Sequence, residues 1–169
     1  NGTNYGASLS CFFQNINDEQ ITLKFINCYF INNENAKTKS ICNNGGAFQY
    51  GYSQTLMSTA IVFENGEFRR NRCLYGKGGA ISISTNQNLT LNNCIFEDNT
   101  DSQGAVIHFL GQAINHYEPD VTIDESQIDC ICIKDCQFIR YKDVSAILVE
   151  EDIIKVHSIC ILSCNFTNI

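Results

Sequence analysis

Cysteines are the residues best equipped for chemistry in this chain, which has 10 of them among 169 residues. The segments ICIKDCQF (131–138) and ICILSCNF (159–166) align Cys132 with Cys160 and Cys136 with Cys164. Adjacent strands lie about 4.8 Å apart, which is at the short end of the range that a disulfide spans. We expect disulfides between neighbouring repeats, and the candidates are Cys28, Cys94, Cys132, Cys136, Cys160 and Cys164.

Two other interpretations of the cysteines stay open. Buried cysteines also act as small apolar fillers, so a stack of free thiols is the first alternative. The spacing Cys130-x-Cys132-x-x-x-Cys136 superficially suggests zinc, and strand alternation would place all three on one face. A second His or Cys pair with finger-like spacing is missing from the sequence, so no metal site is predicted.

Clustered acids could serve glycan chemistry, which needs two carboxyl groups roughly 5 to 10 Å apart. The acidic groups are Glu97, Asp98 and Asp101; Glu118 and Asp120; and Glu150, Glu151 and Asp152. Acids adjacent in sequence point to opposite strand faces or lie in turns. No basic residue accompanies them in the pattern of a lyase, and the calcium-binding nonapeptide is absent. We interpret them as solvated corners.

The histidines His108, His116 and His157 are scattered, and none has a nucleophile motif beside it. Packing or surface positions are expected for them. The segment 111–120 could recognise a ligand or could be a tolerated insertion. The sequence therefore predicts no catalytic residue, no cofactor and no enzyme activity.

Composition limits the surroundings of the chain. A net charge of −7 disfavours nucleic acid as a partner. No run of 18 apolar residues could span a membrane. The cysteine load and the N-x-[ST] triplets at Asn1, Asn88 and Asn165 favour an extracellular or cell-surface protein with N-linked glycans. The chain opens without a leader, as expected after signal-peptide removal or for an excerpt of a longer protein.

The elements that position these residues repeat. Five segments align on the phenylalanines Phe30, Phe68, Phe96, Phe138 and Phe166, at spacings of 38, 28, 42 and 28 residues. Four of them contain Cys-x-Phe, and three carry Asn33, Asn71 or Asn99 three residues after the phenylalanine. A Gly-Gly-Ala motif, complete at 45–47 and 78–80, alternates with them. The longer spacings place insertions at Glu34–Asn44 and Gly111–Asp120.

Each repeat is typical of strands, because apolar and polar residues alternate at Ala80–Ser84, Leu89–Leu91 and Val121–Ile123. One repeat is too small to bury a core alone, whereas stacked repeats share one. We expect an all-β fold, a right-handed parallel β-helix (solenoid) of about five coils, forming a single domain over 1–169. The phenylalanines would form an inward stack, and the asparagines would lie at a corner in the left-handed region.

Alternating Gly-Gly-Ala-[Ile/Leu/Val] and Phe-x-x-Asn resembles the repeats of chlamydial polymorphic outer-membrane proteins. It is also similar to large ciliate surface proteins of the right-handed β-helix, pectate-lyase-like type. The resemblance covers nearly the whole chain, although the last two copies depart from both motifs. It implies a passenger-like, adhesive or coat-forming surface protein.

The sequence as a whole favours a structural function in a glycosylated coat, filament or adhesin. A polysaccharide lyase or hydrolase and a carbohydrate-binding adhesin module are the alternatives. Residues 1–96 hold 7 Lys and Arg against 5 Asp and Glu, whereas residues 97–169 hold 4 against 13. This asymmetry favours head-to-tail self-association, and continuation into further coils of a longer chain is the other expectation.

Overall fold

The computed structural model describes residues 9–11, 21–35, 45–50, 59–84, 87–102, 105–110, 129–141, 145–149 and 156–167. These residues form strands, bends and short connections, and none of them is helical. The expectation of an all-β fold is confirmed. Since the described part contains no helix, it contains none that could cross a membrane.

Strand bounds are as follows in chain order: β1 (Leu9–Cys11), β2 (Ile21–Ile26), β3 (Tyr29–Ile31), β4 (Glu34–Asn35), β5 (Phe48–Tyr50), β6 (Thr59–Glu64), β7 (Glu67–Arg69), β8 (Arg72–Cys73), β9 (Ile81–Ser84), β10 (Gln87–Asn92), β11 (Ile95–Glu97), β12 (Thr100–Asp101), β13 (Ala105–Leu110), β14 (Asp129–Lys134), β15 (Gln137–Ile139), β16 (Ser145–Val149), β17 (Val156–Leu162) and β18 (Asn165–Thr167).

The described strands pair in parallel in four sheets. The first sheet has the order β1-β5-β9-β13-β16, the second β17-β14-β10-β6-β2, the third β18-β15-β11-β7-β3 and the fourth β12-β8-β4. We call β1–β4, β5–β8, β9–β12, β13–β15 and β16–β18 copies 1 to 5. Every sheet joins the copies in this same order, so the described strands of each copy pair only with those of its sequence neighbours.

Register matches the repeat alignment. Phe30, Phe68, Phe96, Phe138 and Phe166 are direct partners across the third sheet. One insertion boundary is corrected, because Glu34–Asn35 form β4 and pair with β8. The rest of that segment and Gly111–Asp120 lie outside the described residues.

Alternating side chains build the core. In β6, Thr59, Ile61 and Phe63 are buried, and the residues between them are only half-buried. The inward column of the second sheet runs Leu23, Ile61, Leu89, Ile131 and Ile159, with a branched aliphatic side chain at every level. Similar apolar side chains stack on one another from copy to copy and form one continuous apolar cluster. A single copy could not bury enough apolar surface to fold alone.

Each copy turns at residues in the left-handed region. One set precedes the Cys-x-Phe position: Asn27, Asn65, Asn93, Asp135 and Ser163, with φ between 52° and 54°. The other follows the phenylalanine by two residues: Asn32, Arg70, Asp98 and Arg140, with φ between 52° and 58°. Asn and Asp tolerate this region best among residues with a Cβ. The expectation that Asn33, Asn71 and Asn99 adopt it is wrong, since the residue before each of them turns the chain.

The Gly-Gly-Ala motif needs its two glycines for different reasons. Gly45 and Gly78 have φ of 77° and 79°, which L side chains rarely adopt. A Cβ on Gly79 would lie 2.6 Å from the backbone nitrogen of Thr100, and one on Gly46 would lie 2.0 Å from the carbonyl oxygen of Gly79. The second glycine therefore permits close approach of the next copy.

Candidate functional site

Five stacked phenylalanines form the centre of the molecule. Ring centroids of neighbours along Phe30, Phe68, Phe96, Phe138 and Phe166 are 4.8 to 5.0 Å apart, with planes within 7° of parallel. The three inner rings are fully buried, and Phe166 is 38 % exposed. The stacked phenylalanine rings fill the space on the inward face of the third sheet.

An asparagine ladder runs beside the phenylalanines. The Nδ2 of Asn33 donates to Oδ1 of Asn71, and the Nδ2 of Asn71 donates to Oδ1 of Asn99, both at 2.8 Å. The second hydrogen on Nδ2 of Asn71 goes to the carbonyl of Phe30 at 2.9 Å, and that of Asn99 goes to the carbonyl of Phe68 at 2.8 Å. These bonds satisfy amides that are wholly buried at Asn71 and Asn99.

Tyr141 occupies the ladder position in copy 4. It is buried beside Asn99, and burial raises the pKa of its hydroxyl above the usual value. Copy 4 therefore has a phenol hydroxyl where copies 1 to 3 have an amide, as the sequence indicates.

A second asparagine ladder lies on the surface. The Nδ2 of Asn93 donates to Oδ1 of Asn65 at 2.8 Å, and the Nδ2 of Asn65 donates to Oδ1 of Asn27 at 3.2 Å. Sequence reasoning missed it, although Asn precedes the Cys or Gly position in three copies. Its members are the left-handed residues, so one residue type both turns the chain and links the copies.

Among the cysteines that the structure describes, Cys28, Cys94, Cys136, Cys160 and Cys164 are free thiols. The expected disulfides are thus absent from the described residues. Cys94, Cys136 and Cys164 form an inward column in which each thiol donates to the carbonyl two residues earlier, at 3.2 to 3.4 Å. The column also has contacts between copies, since the backbone N–H of Cys94 donates to Sγ of Cys136 at 3.4 Å. The column therefore matches the first alternative to disulfides, a stack of free thiols.

Burial and mutual contact set the ionisation of these thiols. Hydrogen bonding to Cys136 lowers the pKa of Cys94, and the same contact together with burial raises the pKa of Cys136. Burial, with the Asp101 carboxylate adding to it, raises the pKa of Cys73 to about 11. Cys132 and Cys160 are direct partners in the second sheet but are only half-buried, on the face opposite Ile131 and Ile133.

Acidic and basic side chains do meet on the outer face of the third sheet. Arg69 pairs with Glu67 at 2.7 Å and with Glu97, and Arg140 pairs with Glu97 and with Asp98 at 3.2 Å. The interpretation of Glu97 as a solvated corner is wrong, since its side chain is 13 % exposed. Two guanidinium groups stabilise its carboxylate, which makes it a linker between copies 2, 3 and 4.

His108 has unusual surroundings. It is completely buried, although alternation places it on the face opposite Ile107 and Phe109. Burial, with the charge of Lys77 adding to it, lowers the pKa of His108 to about 4. Its register partner Ser82 is also buried. This face of the first sheet is therefore shielded from water around β9 and β13.

Two glycosylation candidates lie on outward faces. Asn165 is exposed on β18, and Asn88 is half-buried on β10. Asn1 lies outside the described residues, as do His116, Tyr117, Glu118, Asp120, Glu150, Glu151 and Asp152. Among the residues that are described, no three His, Cys, Asp or Glu side chains converge as metal ligands would.

Exposed apolar side chains concentrate at the two ends of the copy order. Copy 5 exposes Ile159, Ile161, Leu162 and Phe166 by 38 to 49 %, and copy 1 exposes Ile26, Tyr29 and Ile31 by 39 to 64 %. In the described part, no further strand pairs with the outer side of β17, β18, β2 or β3.

The chain matches no protein-family model, no curated protein and no solved structure. The resemblance to β-helix surface proteins therefore stays an expectation from sequence motifs.

Proposed function

We propose that the chain is a right-handed parallel β-solenoid of about five coils, with a structural rather than catalytic function at the cell surface or outside the cell. Support for the solenoid comes from the four parallel sheets, which all join the copies in the same order. Right-handedness follows from the strong preference of parallel crossover connections for that hand.

One contrast carries the structural function: within the strands of the third sheet, the inward position repeats from copy to copy, whereas the neighbouring outward position varies. The inward column of the third sheet is phenylalanine at all five levels. The neighbouring outward column reads Tyr29, Glu67, Ile95, Gln137 and Asn165, which are an aromatic, an acidic, an aliphatic and two amide side chains. The repeat therefore maintains the inward packing and does not present one surface many times over. We infer that this is the pattern of a spacer or coat element.

Extracellular placement rests on 10 cysteines and on the outward glycosylation acceptors. An N-linked glycan needs an acceptor that projects into solvent, and Asn165 satisfies this better than Asn88. We propose that Asn165 is modified in the native protein. Free thiols in the inward column are compatible with an oxidising environment, because buried thiols resist oxidation.

Native protein tests the proposal directly. We expect it in the medium or the surface fraction of its source cells, with an intact mass that falls on glycosidase treatment. Replacing Asn165 with Gln should remove part of that fall. Gln137→Asn is the matched control, because it exchanges the same two amide side chains at the register partner of Asn165 and creates no acceptor triplet. A cytosolic protein of unmodified mass would refute the extracellular proposal.

A further inference from the structure

We propose that copy 5 of one molecule docks on copy 1 of a second molecule of this chain, so that β17 and β18 pair in parallel with β2 and β3. This inference rests on the proposed solenoid and specifies the surface through which it would assemble. The surface is defined by β17 and β18 on one molecule, the C edge, and by β2 and β3 on the other, the N edge.

Unprotected edges are the first argument. Natural edge strands avoid association through charges, prolines or bulges. Residues 156–167 contain no Asp, Glu, Lys, Arg or Pro. Residues 21–33 contain one charge, Lys24, whose ammonium lies 2.9 Å from the carboxylate of Glu64 in copy 2. β17 does have a bulge at His157, where its register with β14 shifts. From Ser158 onwards its pairing is regular, and this part of the C edge carries no charge, proline or bulge that would repel the N edge.

Side-chain columns continue across the proposed contact. Register places Ile159 in the column of Leu23, Ile161 in that of Phe25 and Phe166 in that of Phe30. Outward, Leu162 shares a column with Ile26, and the two are 49 % and 50 % exposed. In the three inward columns, docking would cover the apolar groups with the kind of side chain that each column already uses inside the molecule. The outward column is Glu64, Asn92 and Lys134 at its inner levels, so Leu162 and Ile26 would add an apolar contact at the interface alone.

Backbone hydrogen bonds between copies form two series that the contact would extend. In the first, the N–H groups of Asn27, Asn65, Asn93 and Asp135 donate to a carbonyl of the following copy at 2.9 to 3.0 Å. Ser163 occupies the same position in copy 5, and its N–H would donate to the carbonyl of Ile26 in the second molecule. No described copy follows copy 5 to accept this bond.

The second series runs in the opposite direction. The N–H groups of Glu67, Ile95, Gln137 and Asn165 donate to the carbonyls of Cys28, Gly66, Cys94 and Cys136 in the preceding copy, each at 2.9 Å. Tyr29 holds this position in copy 1, so its N–H would donate to the carbonyl of Cys164 in the other molecule. Both series therefore find their missing partners in one arrangement.

Symmetry favours this head-to-tail contact over two C edges meeting. A two-fold axis would reverse the order of the sheets around the solenoid, so at most one sheet could face its own counterpart. Head-to-tail docking keeps every sheet in line and does not close, which yields a filament. It also joins the less acidic half of one chain to the more acidic half of the next.

Blocked variants test the contact in the full chain produced without glycans. The C-edge variant carries Ile161→Lys and Leu162→Lys, and the N-edge variant carries Ile26→Lys and Tyr29→Pro. A control adds the same two lysines as Thr90→Lys and Gln137→Lys, on strands paired at both sides. Circular dichroism and thermal melting must show that each variant is folded. If the double C-edge variant is unfolded, the single variant Leu162→Lys replaces it, and if the double N-edge variant is unfolded, Ile26→Lys replaces it.

Sedimentation velocity then distinguishes the outcomes. We expect wild type and control to form species that grow with concentration, and each blocked variant to remain at the chain mass of 19.0 kDa. An equimolar mixture of the two blocked variants should give a species of twice that mass and nothing larger. Dimers of the N-edge variant alone would mean that two C edges meet, and would overturn the proposal.

Two further results would also overturn it: a mixture that stays monomeric, or a wild type that is monomeric at every concentration. The latter would mean that another occupant, such as a further repeat of a longer chain, covers the edge. Folded, surface-located and glycosylated protein would still support the proposed function in that case, so the two failures are distinguishable.

Discussion

Asn71 makes four side-chain hydrogen bonds inside the fold without introducing a charge. Its Oδ1 accepts from the backbone and the side chain of Asn33, and its Nδ2 donates to Asn99 and to the carbonyl of Phe30. We expect Asn71→Ala to lower the free energy of unfolding by about 2 to 4 kcal/mol, because several buried groups lose their partners together. Urea denaturation measures this loss.

The surface ladder provides the control. Asn93→Gly also removes an amide from an asparagine ladder, but the residue is exposed and Gly keeps the left-handed backbone accessible. We expect a loss below about 1 kcal/mol, since water replaces the bond. Equal losses for the two variants would show that burial does not set the strength of the ladder.

His108 should make stability depend on pH. Its folded-state pKa of about 4 lies below the unfolded value of 6.5, so the unfolded chain binds the proton more readily. Stability from the neutral imidazole is complete above pH 6.5 and is lost as pH falls towards 4, by about 1.4 kcal/mol per pH unit. We expect the difference between wild type and His108→Gln to shrink or reverse between pH 7 and pH 5. Parallel stability curves over that range would contradict the assignment.

At the scale of the turns, two glycines should respond in opposite ways to the same substitution. A Cβ on Gly79 would lie 2.6 Å from the backbone nitrogen of Thr100, and the backbone of copy 3 cannot yield without breaking its pairing. A Cβ on Gly66 would meet its nearest atom, on the ring of Phe68, at 3.4 Å, and Gly66 has no positive φ. We expect Gly79→Ala to destabilise by more than about 2 kcal/mol and Gly66→Ala to stabilise by roughly 0.5 to 1 kcal/mol.

Thermal melts of the two alanine variants test this difference. Gly66→Cys is an informative third variant, because it restores the cysteine found at this position in the other four copies. A stabilising effect of Gly79→Ala would mean that copies 2 and 3 approach less closely at this corner than described.

Strand elements show which features a repeating sequence can predict. Phe30 to Phe166 and Asn33, Asn71 and Asn99 recur at fixed offsets, and register follows from those offsets. The surface ladder of Asn27, Asn65 and Asn93 recurs at a fixed offset as well, directly before the Cys or Gly position, so it is equally predictable from the sequence.

The ion pairs of Glu97 with Arg69 and Arg140 could not be predicted in this way. They depend on which outward residues face one another across copies of unequal length: Arg69 and Glu97 are 28 residues apart in the sequence, and Glu97 and Arg140 are 43 apart. The burial of His108 depends on what covers an outward face, which the repeat pattern does not encode.

For the whole molecule, the phenylalanine stack should contribute most at its centre. Phe96 is fully buried between two parallel rings, whereas Phe166 contacts one ring of the stack and is 38 % exposed. We expect Phe96→Ala to cost about 3 to 5 kcal/mol and Phe166→Ala to cost less than half of that. Chemical denaturation of both variants decides the matter, and a stability unchanged by Phe96→Ala would contradict the described register.

The common copy order of the four sheets also determines how the molecule would respond to force. Hydrogen bonds between copies all point along that order, so pulling along it stretches each bond along its own axis. Bonds loaded in this way break a few at a time, unlike bonds sheared in parallel. Under tension we expect one copy after another to peel from an end, lengthening the chain by roughly 3.4 Å for each residue released. A coat built from this element would resist bending and compression but would yield stepwise when stretched.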